Sequence, residues 1–125
     1  MNLRSSCVRE QIKLADRVLR EEGFELAAVQ NHFSLIRNDA EQQRIIEWCH
    51  ENNKTYFSYM VLEQGTLGGK YDDEHKFPVM SLRGIEYNGK LKKLRPLIDM
   101  LRELGKKYGV APAQISVAWA VSKGT

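Results

Sequence analysis

Between residues 6 and 22 the apolar positions Val8, Ile12, Ala15 and Leu19 fall at intervals of four, three and four, and Leu14 and Val18 widen the stripe. This is the period of an amphipathic helix. Ser5 or Ser6 stands where a cap would start it, and Gly23 stands where the chain would leave it. The pattern then changes. Residues 24–35, Phe-Glu-Leu-Ala-Ala-Val-Gln-Asn-His-Phe-Ser-Leu, carry a short continuous apolar run, suited to a strand buried on both faces. Asp39 followed by Gln42 resembles a capping box and opens a helix over 40–52, which should bury Ile45, Trp48 and Cys49 before Asn52-Asn53 stops it. Thr55-Tyr-Phe-Ser-Tyr-Met-Val-Leu62 is rich in β-formers and predicts a second strand of the same kind. Residues 72–90 lack periodicity and read as an irregular excursion. Leu94, Leu97, Ile98, Leu101 and Leu104 mark a strong helix from Leu91 to Tyr108, ended by Gly109. Pro112 then falls at the first position of a last helix that runs to Lys123, with Gly124 as its stop.

Helix, strand, helix, strand with short connections is the grammar of parallel α/β architecture. Only two strands are evident, and two strands without neighbours rarely make a stable sheet. The pattern therefore predicts part of a larger parallel sheet or barrel, or a chain that needs a partner. At 125 residues there is room for one domain, residues 1–125, with an ordinary core. A composition of 42% hydrophobic and 28% charged residues, with no apolar run long enough for a membrane span, is that of a soluble globular chain. No membrane association is expected. Residues 1–6 lack the apolar core of a signal peptide, and Cys7 and Cys49 form neither a disulfide framework nor a metal-ligand spacing, so a reducing cytoplasm is expected. A net charge of +3, with both signs interspersed on helical faces, does not make a nucleic-acid footprint.

The candidate chemistry lies in Tyr59-Met-Val-Leu-Glu-Gln-Gly-Thr-Leu-Gly-Gly-Lys-Tyr71. Glycines let backbone N–H groups approach a phosphate, a lysine adds a point charge, and an aromatic residue at a strand end can stack on a planar ring. The spacing fits neither of the common phosphate-loop patterns, and a simple turn is the other reading of the same residues. His32 reads as a polar residue at a strand end, His50 as a helix C-terminal residue and His75 as a loop residue; no pair has metal-ligand spacing, and no metal is expected.

Val29-Gln-Asn-His-Phe-Ser-Leu35, the stretch from Tyr59 to Tyr71, and Leu104-Gly-Lys-Lys-Tyr-Gly-Val-Ala-Pro-Ala-Gln-Ile-Ser-Val-Ala-Trp-Ala-Val-Ser-Lys-Gly124 together resemble, in order and spacing, the aldo-keto reductase family. The resemblance implies a (β/α)8 TIM barrel, with the active site at the C-terminal ends of its strands. This chain would supply an incomplete barrel, from helix 5 through strands 6 and 7 to the helix pair before strand 8. It also implies hydride transfer from NADPH to a small-molecule aldehyde or ketone. Gln30 would bond the nicotinamide carboxamide and Tyr59 would stack on its ring, whereas Leu62, Gln64, Gly65 and Leu67 would cover the pyrophosphate and Lys70 would contact phosphate. Many members carry Ser-Pro after the aromatic residue; Met60-Val61 stands here, without a hydroxyl donor. Nothing in the chain matches the family's catalytic Asp, Tyr, Lys and His. No catalytic residue is therefore expected, and the chain alone should be inactive and associate with itself through an exposed barrel face.

Two other functions fit parts of the chain. A non-catalytic nucleotide-binding or regulatory protein of the same fold would keep the cofactor residues and lose turnover. A DNA-binding helix-turn-helix is suggested by residues 101–116, but a recognition helix must offer polar side chains to base edges. The second helix here reads Ala113, Ile115, Val117, Ala118, Trp119, Ala120 and Val121, apolar nearly all round, which predicts burial instead.

Overall fold

The structure is a computed structural model and describes residues 8–125, apart from the side chains of residues 40 and 41. The Ser5 or Ser6 cap and Cys7 lie outside the described residues. The elements in chain order are α1 (Arg9–Glu21), β1 (Ala28–His32), α2 (Ala40–Glu51), β2 (Thr55–Tyr59), a 3-10 segment (Glu63–Gly68), α3 (Leu82–Tyr87), α4 (Leu91–Tyr108) and α5 (Pro112–Ser122). They form two compact units, Met1–Tyr59 with Ala120–Thr125, and Met60–Trp119.

In the first unit β1 and β2 pair in parallel, with Val29 opposite Tyr56, Gln30 opposite Phe57 and His32 opposite Tyr59. Helix α2 covers one face. Asp39 starts it by accepting a hydrogen bond from the Gln42 amide at 3.0 Å. The Gln42 side chain does not close the capping box; its Oε1 accepts from Asn31 Nδ2 at 3.2 Å and from Tyr56 Oη at 3.0 Å. Val29, Asn31 and Tyr56 are buried, along with Phe33, Ile45 and Cys49, whereas Trp48 is only half-buried. The opposite face is open, with Gln30 exposed and Phe57 55% exposed. The expectation of strands buried on two faces thus fails. A polar residue, Asn31, points inward, where Gln42 accepts from its Nδ2, while an aromatic one, Phe57, points outward.

Helix α1 also departs from its expected stripe. Ile12 and Asp16 are its buried residues, whereas Leu14 and Val18 are exposed. The cause is Lys54, whose buried ammonium lies 3.5 Å from Asp16 and 3.3 Å from Glu25, with Arg20 also 3.1 Å from Asp16. A buried ammonium needs counter-charges, and these hold the polar side of α1 inward. The helix ends as expected at Gly23, which is left-handed with φ 80°, and the Phe24 amide donates to the Leu19 carbonyl at 2.8 Å.

In the second unit Phe77, Tyr87, Leu91 and Ile98 form a buried cluster flanked by Tyr71 and Leu94, and the Tyr71 ring stacks on Phe77 at 3.9 Å. The excursion over 72–90 is not wholly irregular, since it holds α3. Ser81 Oγ caps this helix by accepting from the Gly84 amide at 2.9 Å, and at six residues it is too short to display a period. Asn88 secures the segment, accepting from the Phe77 amide and donating to the Phe77 carbonyl, both at 3.0 Å. Helix α4 matches its expected span and buries Leu91, Ile98, Leu101 and Gly105; left-handed Gly109 ends it. Helix α5 is not buried all round: Ser116 and Ala120 are buried, whereas Val117 and Val121 are exposed.

Candidate functional site

In the first unit the sequence-predicted residues are Gln30 and Tyr59. Gln30 is the third residue of β1 and lies on the open face of the sheet. Tyr59 is the last residue of β2 and is half-buried, its ring centre 5.4 Å from that of His32. His32 Nδ1 and Arg37 Nη1 are 3.1 Å apart, so the last residues of the two strands carry a connected row of aromatic and polar groups. Parallel strands put such groups at their C-terminal ends, where α/β proteins place ligands.

The other candidates belong to the second unit. Immediately after β2 the backbone enters the left-handed region at Met60 (φ 59°), Glu63 (φ 46°), Gln64 (φ 54°) and Gly65 (φ 99°). Asn53 is the only other non-glycine residue with such a φ among the described residues. Non-glycine residues seldom adopt this conformation and pay strain to do so. The Leu62 carbonyl accepts from the amides of Gly65 at 2.9 Å and Leu67 at 3.1 Å, which winds the segment tightly. Leu62 is half-buried, Gln64 exposed and Leu67 fully buried. Lys70 is exposed, with its Nζ 5.5 Å from the centre of the Tyr71 ring.

Several residues that hold this stretch have no local signal in the sequence. The buried Ser116 hydroxyl donates to the Leu67 carbonyl at 3.0 Å, and Tyr87 Oη donates to the buried Glu63 carboxylate at 2.8 Å. Arg102 reaches the Gly69 carbonyl and Asp72. The Arg102 guanidinium, with the His75 amide next in effect, holds the Asp72 carboxyl well below the usual carboxylate range. Each of these partners is distant in sequence from the residue it contacts, apart from His75, and only folding brings them together. The Thr66 hydroxyl is buried and lacks a hydrogen-bond partner among the described residues. Separately, Lys13, Arg17, Trp48 and Asn52 line an open groove of about 500 Å³ in the first unit. Among the described residues no helix is long and apolar enough to cross a membrane, and no three His, Cys, Asp or Glu residues are grouped as a metal site.

A sequence profile described as the aldo/keto reductase family matches residues 6–125. The chain is 33% identical over 117 residues to a chloroplastic pyridoxal reductase of Arabidopsis thaliana, covering 94% of this chain and 31% of that protein. It is 32% identical over 101 residues to an uncharacterised oxidoreductase of Mycobacterium bovis, covering 80% of this chain and 31% of the relative. It is 30% identical over 101 residues to a probable aldo-keto reductase of Glycine max, covering 79% of this chain and 29% of that relative. The chain thus spans about 31% of the length of the first curated relatives it matches.

Proposed function

The chain belongs to the aldo/keto reductase family, and from that premise we propose that it is the cofactor-holding segment of an NADPH-dependent reductase of aldehydes or ketones. On this reading it supplies part of a (β/α)8 barrel, helix 5 through strands 6 and 7 to the helix pair before strand 8. The observation that supports it most is the concentration of left-handed backbone at Met60, Glu63 and Gln64. Strain of that kind gathers where a backbone must meet a ligand in one fixed shape.

The residues present suit such a cofactor by their chemistry. In the first unit, the exposed Gln30 carboxamide offers a donor and an acceptor, the complement of another carboxamide, and Tyr59 offers an aromatic face. In the second, Gly65 and Gly68 have open space where a Cβ would stand, and Lys70 is an exposed cation. These groups match the needs of a phosphate-bearing ligand. When bound, the cofactor supplies a hydride to the carbonyl carbon. Gln30 and Tyr59 fix which ring face is presented; Leu62, Gln64, Gly65, Leu67 and Lys70 engage the pyrophosphate. No residue of this chain is assigned a proton transfer.

Fluorescence titration of the purified chain with NADPH, and with NADH for comparison, tests the reading. Tyr59→Ala should weaken NADPH binding by about tenfold, equivalent to about 1.4 kcal/mol, and Gln30→Ala by less. Affinity unchanged in both variants would sink the assignment. Pyridoxal is the first aldehyde to try, because one relative is named a pyridoxal reductase. Its reduction by the chain alone, abolished by Tyr59→Ala, would show that the segment is itself catalytic.

A further inference from the structure

A guanidinium fastens the end of the glycine stretch. Arg102, on α4, donates from Nε to the Gly69 carbonyl at 2.9 Å and from Nη2 to Asp72 Oδ2 at 2.8 Å. Its Nη1 donates to Asp99 Oδ1 at 3.0 Å, so all three nitrogens are engaged. The Asp72 side chain is only 3% exposed. Its other oxygen accepts from the amides of Glu74 at 3.0 Å and His75 at 2.7 Å, and lies 3.1 Å from His75 Nδ1. One planar fork therefore ties the last glycine of the stretch to the turn that follows it. A lysine, a point charge on a flexible stem, cannot make those contacts together.

Gly69 itself has little freedom. Its φ is 80°, and a Cβ built on it would stand 2.6 Å from Pro112 Cγ. With the Ser116 hydroxyl on the Leu67 carbonyl, the stretch is held at both ends of Leu67-Gly68-Gly69. Glycine backbone is otherwise the most permissive in a protein, and ordering it at the moment of binding lowers affinity.

We propose that Arg102 and Asp72 are a positioning pair that keeps the stretch Leu67–Lys70 in the shape that receives the phosphate-bearing part of a nucleotide. The nucleotide in this proposal rests on the function proposed above. The pair acts through the backbone, and neither side chain touches the ligand.

A double-mutant cycle tests this, with Arg102→Met, Asp72→Asn, the double variant, Arg102→Lys as the conservative replacement, and Lys90→Met as a surface control. Two readouts are taken from the purified chain: amide exchange at residues 67–70, and NADPH affinity by fluorescence. Each single variant should speed exchange at 67–70 about tenfold and weaken NADPH binding about tenfold, with the amides of β1 and β2 unchanged. The double variant should be no worse than either single one, and Arg102→Lys should fall between Arg102→Met and the parent. If Arg102→Met does not fold, Arg102→Lys is compared with Asp72→Asn in its place. Wild-type affinity in the single variants, or losses that multiply in the double variant, would overturn the pair as a positioning unit. If the parent chain binds no NADPH, the nucleotide reading fails and exchange alone decides: acceleration confined to 67–70 sustains the pair, and unchanged exchange removes it.

Discussion

Three buried side chains with displaced ionisation, Cys49, Tyr56 and Asp72, give the protein opposite sensitivities to acid and alkali. Burial pushes the Cys49 thiol up to about 11 from an ordinary 9.0. The thiolate is disfavoured in the fold more than in the unfolded chain, so the associated stability is complete below the ordinary thiol range. It is lost as pH rises from about 9 towards about 11. Tyr56 is displaced in the same direction by its burial. Asp72 is displaced downward by Arg102, so its contribution is intact at neutral pH and is lost progressively as pH falls below the ordinary carboxylate value of 3.8. Urea midpoints measured from pH 7 to pH 11 should be level at first and fall above about 9, and Cys49→Ala should flatten the onset of that fall. An onset identical in the variant would mean that another group is responsible.

At the scale of elements, the turn between α4 and α5 is set by a glycine inside a helix. Replacing a helical glycine by alanine ordinarily stabilises a helix by about 1 kcal/mol. At Gly105 the new Cβ would stand 2.7 Å from the Val110 carbonyl oxygen and 3.3 Å from the Pro112 nitrogen, both backbone atoms that cannot step aside. Gly105→Ala should therefore destabilise by about 1–3 kcal/mol despite its better propensity. A thermal melt with a raised midpoint would show that the turn yields. Helix spans were legible in the sequence because α2 and α4 announce themselves by Asp39, Asn53 and Gly109, which are local signals. Strand faces were not. Whether Asn31 or Phe57 turns inward depends on Gln42, a partner on another element. The candidate site was legible as a list of residues in Gln30 and Tyr59–Tyr71, while its supports, Ser116, Arg102 and Tyr87, were not, since their partners lie at least 24 residues away.

At the scale of the whole molecule, each unit leaves apolar surface in solvent. The first exposes Phe24 and Phe57, and the second exposes Val79, Met80, Leu82 and Ile85, with Met80 92% accessible. Large apolar side chains left in solvent favour association, and a net charge of +3 provides weak repulsion against it. Sedimentation velocity should show concentration-dependent self-association, reduced by Phe57→Ser and by Met80→Ser. A monomer at every concentration, with a sharp cooperative melt, would contradict it.

Lys54 gives the first unit a built-in chemical reporter. Its ammonium is sealed by Asp16 and Glu25 with 2% of the side chain accessible, whereas Lys70 and Lys76 stand in solvent. An amine-acylating reagent must wait for α1 to part from the residue that precedes β2 before it can reach Lys54. The order in which lysines gain mass would then time the opening of that helix, read from the unlabelled protein without any engineered probe.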